Sequence, residues 1–321
     1  MLLPRFASGI FSITVAVFGA GAVLGQDYPN KTIRIITNVA GGGNDFIARQ
    51  VAQGIAGPLG QPVIVDNKGG GTLLSAEAAY RATPDGYSLH VNGNALLIIS
   101  LMQTVPFDVM RDFLPISLIS RNVNVLAVHP SVAANSVKDL IALAKAKPGE
   151  LNYGSTGPGG TQHIGGELFK SLAGVNLVRV AYKGGAAASI GLISGEVQVL
   201  VQDAGVLMPH AKAGKLKALA VTSTTPSPMA PGLPTMAAAG LPGYDWVGLT
   251  GIYAPAKTPA AIIRRLNQEI VRAMNLPETK ERLFGVGEEI IASSPEQFAA
   301  TIKTDIARLG KLIKDAGIKA D

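Results

Sequence analysis

The sequence predicts an α/β protein of two lobes, with mixed, mostly parallel sheets flanked by helices. From Thr32 onward, short β-branched runs alternate with helical patterns, which is typical of strands joined by crossover helices. The chain has 321 residues, too many for one ordinary hydrophobic core and suitable for two. Glycine-rich loops also recur at the same place, between a strand and a helix, in both halves of the chain.

The composition is that of a folded protein without cysteine. Hydrophobic residues make up 47% of the chain and charged residues 16%, which is typical of a globular protein. The net charge is +6, but lysines and arginines are scattered without an aromatic–basic cluster, so we expect no nucleic-acid partner. The absence of cysteine excludes disulfides, thiolate metal sites and cysteine nucleophiles.

The N-terminal residues have the pattern of an export signal. Arg5 precedes an uncharged apolar run, Gly9–Leu24, and small residues at Val23 and Gly25 fit a cleavage site. The run is about 16 residues long, shorter than the ~20 that a membrane-spanning helix needs, and an uncleaved anchor is the alternative. We therefore predict a signal peptide at residues 1–25 and a mature protein in the periplasm.

The first half of the mature chain predicts a strand, a glycine-rich loop and a helix. The β-branched run Thr32–Asn38 is the strand, and the helix carries Ile47 and Ile55 on one apolar face. Gly57 and Pro58 should end this helix. The next predicted elements are a strand at Pro62–Val65, a helix at Leu73–Arg81 and a strand at Tyr87–Val91.

A second series of strands and helices opens after residue 122. Its proline-rich end, residues 223–245, has no periodicity and predicts an ordered loop that wraps back. The predicted strands are Val123–Val128, Leu151–Tyr153, Leu177–Ala181, Val197–Val201 and Lys215–Val221, and the predicted helices are Ser136–Ala146, Gln162–Leu172, Ala187–Ser194 and Val206–Ala213.

The C-terminal part predicts one strand, Trp246–Tyr253, and three helices. Thr258 is a candidate cap for the first helix, and Ser294 and Gln297 form a capping-box pattern at the start of the last. The apolar stripe of this last helix is Phe298, Ile302, Ile306, Leu309 and Ile313. The predicted lobes are then residues 26–124 with 246–321, and residues 125–245.

The first glycine-rich loop has a partial match to a dinucleotide-binding fingerprint. Gly41 and Gly43 fit G-x-G-x-x-G, and Asp66 ends the second strand where a ribose-binding acid would lie. The bulky Phe46 occupies the third glycine position, where close packing of helix on strand is required. This mismatch and the export signal both disfavour a dinucleotide.

The second loop fails the corresponding test for a nucleotide phosphate. Gly154 and Gly159 have the spacing of a P-loop and Thr161 supplies a hydroxyl, but Gly160 replaces the lysine that the phosphates need. Hydrolase motifs are also missing from the sequence. The enzyme alternative is an acid–base site formed by Asp45, His163 or Asp203, if folding brings them together.

A simpler hypothesis is that both loops bind a carboxylate. A glycine loop at a helix N-terminus presents free backbone N–H groups and the positive end of the helix dipole. Two such termini, one in each lobe, could face each other across a cleft. The alternative is that the glycines only make tight turns.

Six segments of the mature chain form a recognisable set of motifs: "YPNKTIRIITNVAGGGNDFIARQVA", "LGQPVIVDNKGGG", "TPDGYSL", "LNYGSTGPGGTQHIGGELFKSLAGV", "VAYKGG" and "PHAKAGKLKALAVTS". With these motifs the chain resembles the Bug/TctC family, the periplasmic solute-binding proteins of tripartite tricarboxylate transporters. The resemblance implies a two-lobed Venus-flytrap fold with a ligand cleft between the lobes, and no catalysis. It also implies delivery of a small organic acid to the large and small subunits of a membrane permease.

In the family, the two loops act as pincers on a ligand carboxylate, through backbone groups and ordered waters. Two asparagines match the cleft wall of the first lobe, and three residues match positions near the wall of the second. The site residues carried over are Asn38, Val39, Gly41, Gly42, Gly43, Asn44, Asp45, Asn92, Asn94, Gly154, Ser155, Thr156, Gly157, Thr161, His163, Tyr182, Gln202 and Asp203.

Several of these residues have a structural alternative. Asp45 could complement the dipole of its helix, and Thr161 could be an N-cap. His163 could bond its own loop rather than the ligand. Tyr182 could belong to a turn, and Asp203 could either accept a ligand ammonium or hydroxyl or satisfy the following helix.

One position departs from the family pattern. Relatives commonly begin the first loop with proline and an aromatic residue, where this chain has Thr37 and Asn38 followed by Val39 and Ala40. The cleft wall therefore differs, and no relative's substrate can be transferred. We expect a monomer without a cofactor or metal that binds a dicarboxylate or tricarboxylate, an aromatic acid or an acidic amino acid.

Overall fold

The structure is a computed structural model that describes residues 28–318. The predicted signal peptide lies outside these residues. The described part is a mixed α/β protein whose sheet is flanked by helices, as the sequence predicts. Within residues 28–318, no helix is long and apolar enough to cross a membrane.

Strands and helices alternate along most of the chain. The strands are β1 (Ile33–Thr37), β2 (Val63–Asn67), β3 (Ser88–Gly93), β4 (Phe113–Val128), β5 (Asn152–Ser155), β6 (Val178–Ala181), β7 (Val199–Asp203), β8 (Lys217–Val221), β9 (Val247–Pro255) and β10 (Glu288–Ile290). The helices are α1 (Gly43–Leu59), α2 (Thr72–Tyr80), α3 (Asn94–Met102), α4 (Val109–Asp112), α5 (Val137–Ala146), α6 (Thr161–Ala173), α7 (Gly185–Ser194), α8 (Ala204–Lys212), α9 (Ala260–Met274), α10 (Pro277–Phe284) and α11 (Pro295–Asp315).

The sheet has parallel flanks and an antiparallel centre. The main strand order is β2-β1-β3-β9-β4-β7-β5-β6, and β8 and β10 also pair with β4. The pairs β1–β2, β1–β3, β5–β6 and β5–β7 are parallel, whereas β3–β9 and every described pairing of β4 are antiparallel. The carboxyl ends of the parallel strands therefore lead into the helices that begin at the glycine loops.

Strand β4 joins the two halves of the sheet. Its residues 113–123 pair with β9, and its residues 124–128 pair with β7. The sequence pattern predicts only Val123–Val128, because Pro115 and the polar residues before 123 look like a connection. We propose to divide the lobes near this change of partner, as residues 26–124 with 246–321, and 125–245.

Helix α11 contributes to the cores on both sides of this division. Phe298 and Ile302 belong to a cluster with Tyr253 of β9, while Leu309 packs in a second cluster with Trp246. The predicted apolar stripe of this helix is buried except at Ile306, which is half-buried. The capping box at Ser294 and Gln297 is confirmed, because each side chain bonds the other residue's backbone N–H.

Two predicted helix boundaries are wrong. Helix α1 continues past Gly57 and Pro58 to Leu59, and Gly60, with φ of 66°, ends it. A proline removes the hydrogen bond to the carbonyl four residues earlier, and here Arg272 donates to that carbonyl, Gly54 O, at 3.4 Å.

The predicted cap of α9 is also wrong. The N-cap is Pro259, and the Thr258 hydroxyl donates instead to the Pro255 carbonyl at 2.8 Å.

Close contact between β9 and α11 requires a glycine. A methyl group on Gly251 would lie 2.0 Å from the Phe298 ring, whereas one on Gly310, in the same helix as Phe298, would lie 3.5 Å from Leu101. We therefore expect Gly251→Ala to lower the free energy of unfolding by about 1–3 kcal/mol through overpacking. Gly310→Ala should leave it unchanged or raise it by about 0.5–1 kcal/mol, because alanine favours the helix.

Urea unfolding of both variants measures the two changes in one protein. Equal effects of the two substitutions would contradict the packing that the structure shows between Phe298 and the backbone of β9.

Candidate functional site

The first glycine loop, residues 38–45, connects β1 to the N-terminus of α1. Its N-cap is Gly42, with extended backbone angles and no side-chain cap. A glycine cap leaves the N–H groups of the first turn open, since no side-chain oxygen is present to accept from them. Gly41 has φ of 79°, a conformation that favours glycine. Val39 is 56% exposed, so the loop faces solvent.

Asp45 holds this loop in place. Its carboxylate accepts from the Gly41 N–H at 2.9 Å, from Arg49 at 3.1 Å and from Asn67 at 2.9 Å. Asn67 also donates to the Asn38 carbonyl at 3.1 Å. Burial opposes ionisation of Asp45, but these hydrogen bonds together hold its pKa below the usual value. Asp45 lies in the first turn of α1, as the dipole role considered for it requires, and it also braces the loop through these hydrogen bonds.

The end of β3 forms the wall beside the first loop. Asn92 is fully buried, and its Oδ1 accepts from the Gly93 N–H at 2.9 Å. His90, behind it, is also fully buried, and burial lowers its pKa to about 4. Asn94 Oδ1 accepts from the Leu249 N–H at 2.5 Å. Both asparagine amides therefore bond the protein itself.

Asn44 connects the first loop to β9. Its Oδ1 accepts from the Thr250 hydroxyl at 3.4 Å. The side chain of Asn44 is half-buried, whereas Gly41, Gly42 and Gly43 are exposed.

The second glycine loop, residues 154–160, connects β5 to α6. Gly160 is the N-cap, without a side-chain cap, so Thr161 does not have the N-cap role that was its structural alternative. Thr161 is the first helical residue, and its carbonyl accepts from Trp246 Nε1 at 2.8 Å. This helix N-terminus thus has the same open geometry as that of α1.

Buried and half-buried polar side chains hold the second loop through hydrogen bonds. The Thr156 hydroxyl donates to Gln162 Oε1 at 2.8 Å, and Gln162 Nε2 donates to Gln202 Oε1. The Arg179 guanidinium donates to Ser155 Oγ at 2.7 Å and to the Thr156 carbonyl at 2.9 Å. The loop is therefore fixed by a cation and by two amides.

His163 bonds its own loop, which is one of the two roles considered for it. Its Nδ1 accepts from the Gly159 N–H at 3.2 Å, and the side chain is 6% exposed. An imidazole whose Nδ1 accepts must carry its proton on Nε2.

Tyr182 and Asp203 lie at the ends of β6 and β7, and both side chains are half-buried. The Tyr182 ring packs against Gly191 of α7, where a methyl group would lie 2.3 Å from the hydroxyl. Asp203 caps α8 by accepting from the Gly205 N–H at 2.7 Å, and it also accepts from Asn122. Burial raises the pKa of Asp203, although these hydrogen bonds oppose the shift. Asp203 therefore satisfies the following helix.

Helix α3 lies between the two loops. It begins at Asn94, beside the first loop, and its residues Ile98 and Met102 contact Gly159 of the second. Eight residues of helix span about 12 Å, and this length is the scale of the distance between the two glycine loops. A groove of about 470 Å³ is lined here by Thr72, the α3 residues Ala95, Ile98, Ile99, Met102 and Gln103, and by Pro158, Gly159 and Gly160.

The acid–base alternative depends on Asp45, His163 and Asp203 coming together. Each of them bonds a different structural group: the first loop, the second loop and the N-terminus of α8. Among residues 28–318 there is also no group of histidines and carboxylates that could hold a metal ion.

Comparison with known proteins identifies the family. Residues 47–318 match the model described as tripartite tricarboxylate transporter family receptor, TctC. The chain belongs to this family. Protein BugT of Bordetella pertussis (strain Tohama I) is 30% identical over 316 residues, which cover 97% of this chain and 96% of BugT. The resemblance to the Bug/TctC family is thus confirmed, and a solute-binding role follows.

Solved structures agree with this assignment. A protein from R. palustris solved with adipate is 31% identical, with a TM-score of 0.75 over 92% of this chain and 100% of its own. MatC from Rhodopseudomonas palustris, solved with bound malate, is 25% identical, with a TM-score of 0.71 over 89% of this chain and 100% of its own.

Sequence reasoning missed the residues that support the loops. Asn67, Gln162 and Arg179 were not predicted as site residues. Asn67 and Arg179 lie on neighbouring elements and act through tertiary contacts, whereas Gln162 lies in the first turn of α6 and bonds Thr156 of the loop before it. One signal was available for Asn67, which directly precedes the glycine-rich stretch "KGGG" at the end of a predicted strand.

The bonds of Asp45 predict a pH-dependent stability. Its pKa is lowered in the folded protein, so its contribution is present above the unfolded value of about 3.9 and is lost as the pH falls through the folded value. We expect Asp45→Asn to lower the free energy of unfolding by about 1–3 kcal/mol at pH 7. Below about pH 4 the difference from wild type should shrink.

Urea unfolding of both proteins between pH 7 and pH 2 measures this difference. If the difference in the free energy of unfolding between the two proteins stays constant to the lowest pH, the ionised carboxylate does not brace the loop.

Proposed function

We propose that this protein is a periplasmic receptor that captures a small organic carboxylate for a tripartite tricarboxylate-type transporter. One observation carries the proposal. The two helices that begin at the glycine loops, α1 and α6, have glycine N-caps without a capping side chain. Helices α2, α3 and α7 also have glycine N-caps without a capping side chain, whereas α5 and α11 are capped by Ser136 and Ser294. Open helix N-termini at both loops favour an anionic ligand.

The energies available are sufficient for a receptor. Each helix dipole contributes about 0.3–1 kcal/mol to the binding of an anion. Each hydrogen bond to a charged group contributes about 1.5–3 kcal/mol. A few such bonds reach the ~8 kcal/mol of a micromolar complex, after the cost of ordering the ligand.

We propose that the ligand is a di- or tricarboxylate, an aromatic acid or an acidic amino acid. Support for a carboxylate comes from two similar proteins, which were solved with adipate and with malate. Asn38 and the exposed Val39 of the first loop depart from the family pattern. We propose that these two residues select among such acids.

The proposed ligand contacts are mainly backbone groups. We place Gly41, Gly42 and Gly43 of the first loop and Thr156 and Gly157 of the second against the carboxylate. Asn38, Val39, Asn44, Gly154, Ser155 and Thr161 are proposed to complete the site. Asp45, Asn92, Asn94, His163, Tyr182, Gln202 and Asp203 are then proposed to act by positioning these groups, since their described contacts are with the protein.

The proposed partners and location follow from the family. We propose that the mature protein is a periplasmic monomer that hands its ligand to the large and small membrane subunits of a permease. We propose no catalytic role and no cofactor. The alternative of an exported enzyme acting on a small carboxylate predicts a product that disappears with His163→Ala, whereas a receptor releases its ligand unchanged.

Thermal shift of the mature protein tests the ligand class. We expect one or more di- or tricarboxylates, aromatic acids or acidic amino acids to raise the melting temperature, because a bound ligand stabilises the folded state. Adipate and malate are the first probes. Stabilisation by a nucleotide, with no response to any carboxylate, would contradict the proposal.

The proposed role of the backbone N–H groups can be tested by removing one of them. Gly43 is the first residue of α1, where proline is well tolerated, and a side chain there meets open space. We expect Gly43→Pro to weaken binding of the best carboxylate probe at least about 10-fold, because one hydrogen bond to a charged group is lost. Gly43→Ala retains the N–H and is the matched control.

Isothermal titration calorimetry gives both affinities, and the melting temperature shows whether each variant is folded. Equal affinities of folded Gly43→Pro and Gly43→Ala would show that this N–H does not contact the ligand.

A further inference from the structure

A small internal cavity lies behind the wall of the candidate site. Its volume is about 10 Å³, and it is enclosed between the end of β3, the start of α3, β9 and α11. Gly93 and Gly251 allow these elements to approach, since methyl groups there would lie 2.3 Å from the Leu249 carbonyl and 2.0 Å from the Phe298 ring. The cavity is therefore part of a tightly packed junction.

Two residues that line this cavity, Asn94 and Asp305, each have a buried polar atom without a hydrogen-bond partner in the described part of the chain. These atoms are Asn94 Nδ2 and Asp305 Oδ2. Asn94 is 9% exposed and Asp305 is 6% exposed. The other end of each side chain is engaged, Asn94 with the Leu249 N–H and Asp305 with Arg308 at 2.9 Å. Leaving such groups unbonded is costly, and most so for a charged oxygen.

We propose that one ordered water molecule occupies this cavity and bridges Asn94 Nδ2 to Asp305 Oδ2. The water accepts from the asparagine amide and donates to the carboxylate. A cavity of this size holds about one water, and a buried water requires two to four polar partners. Thr301 also lines the cavity. Its hydroxyl donates to the Gln297 carbonyl at 3.1 Å, and we propose that its oxygen accepts from the water as a third partner.

The chemistry of the lining excludes ions. A cation would be repelled by the N–H donor of Asn94, and the negative charge of Asp305 is already paired with Arg308. An anion would be repelled by Asp305. A neutral molecule with both a donor and an acceptor is required, and the volume restricts it to water.

The bridge connects the wall of the candidate site to a helix shared by both cores. Asn94 is the first residue of α3, and Asp305 lies between the parts of α11 that pack in the two clusters. By holding the Asn94 amide, the water also keeps Asn94 Oδ1 on the Leu249 N–H of β9. Asp305 is thus a positioning residue for the wall.

A crystal structure of the ligand-free wild-type protein, at a resolution that shows ordered water, is the direct test. We expect one water peak within about 2.7–3.2 Å of Asn94 Nδ2 and Asp305 Oδ2. An empty cavity, or a direct bond between the two side chains, would overturn the proposal. The proposed function does not enter this test, because no ligand is needed.

Hydrogen exchange in solution tests the positioning role. Asp305→Leu removes the carboxylate with little change of shape, and Arg308→Met breaks the same ion pair without touching the oxygen that faces the water. We expect the Leu249 amide to exchange about five-fold faster in Asp305→Leu and at the wild-type rate in Arg308→Met. Equal rates in both variants would contradict the role. If Asp305→Leu does not fold, the wild-type crystal structure still decides the proposal.

Discussion

The open N-termini of α1 and α6 are the constraint on which the rest of the site depends. A glycine at each N-cap leaves the first-turn N–H groups without a side-chain acceptor. These groups must then face either water or a ligand. Most of the polar side chains around the two loops hold the backbone in this geometry, and few of them point outward. In the proposed site, the ligand would thus bind backbone donors on a rigid support.

The support is different in the two lobes. In the first, a single carboxylate, Asp45, collects a loop N–H and two side-chain donors. In the second, hydrogen bonds of Arg179 and of the Gln162–Gln202 amide pair hold the loop. The ion pair of Asp45 with Arg49 supports one loop, and the Arg179 guanidinium, bonded to uncharged groups, supports the other, so the electrostatic surroundings of the two helix N-termini are unequal. A ligand with two different ends could use this difference to bind in one orientation.

Much of the fold was predictable from the sequence, because its strands and helices carry clear periodicity. Helix α3 was missed because Asn94–Met102 is a nearly continuous apolar run, in which a helical period cannot be distinguished. Strand β10 was missed because it has three residues. Strand β4 extends ten residues before its predicted start at Val123, since pairing with β9 decides its length and local propensity does not.

The candidate site was predictable only in part. The glycine loops could be found because a glycine run between a strand and a helix indicates a helix N-terminus with free backbone N–H groups. The roles of His163 and Asp203 were left open, and only the folded chain shows that one bonds Gly159 and the other caps α8. Residues such as Arg179 could not be found at all, because nothing local distinguishes an arginine under a loop from one on the surface.

The central claim is that backbone N–H groups at the glycine-capped helix ends hold a carboxylate. A crystal structure of the mature protein with its best carboxylate ligand tests this claim most directly. We predict carboxylate oxygens within about 3 Å of first-turn N–H groups of α1 or α6, directly or through one water. A carboxylate held instead by lysine or arginine side chains, away from both loops, would contradict the account.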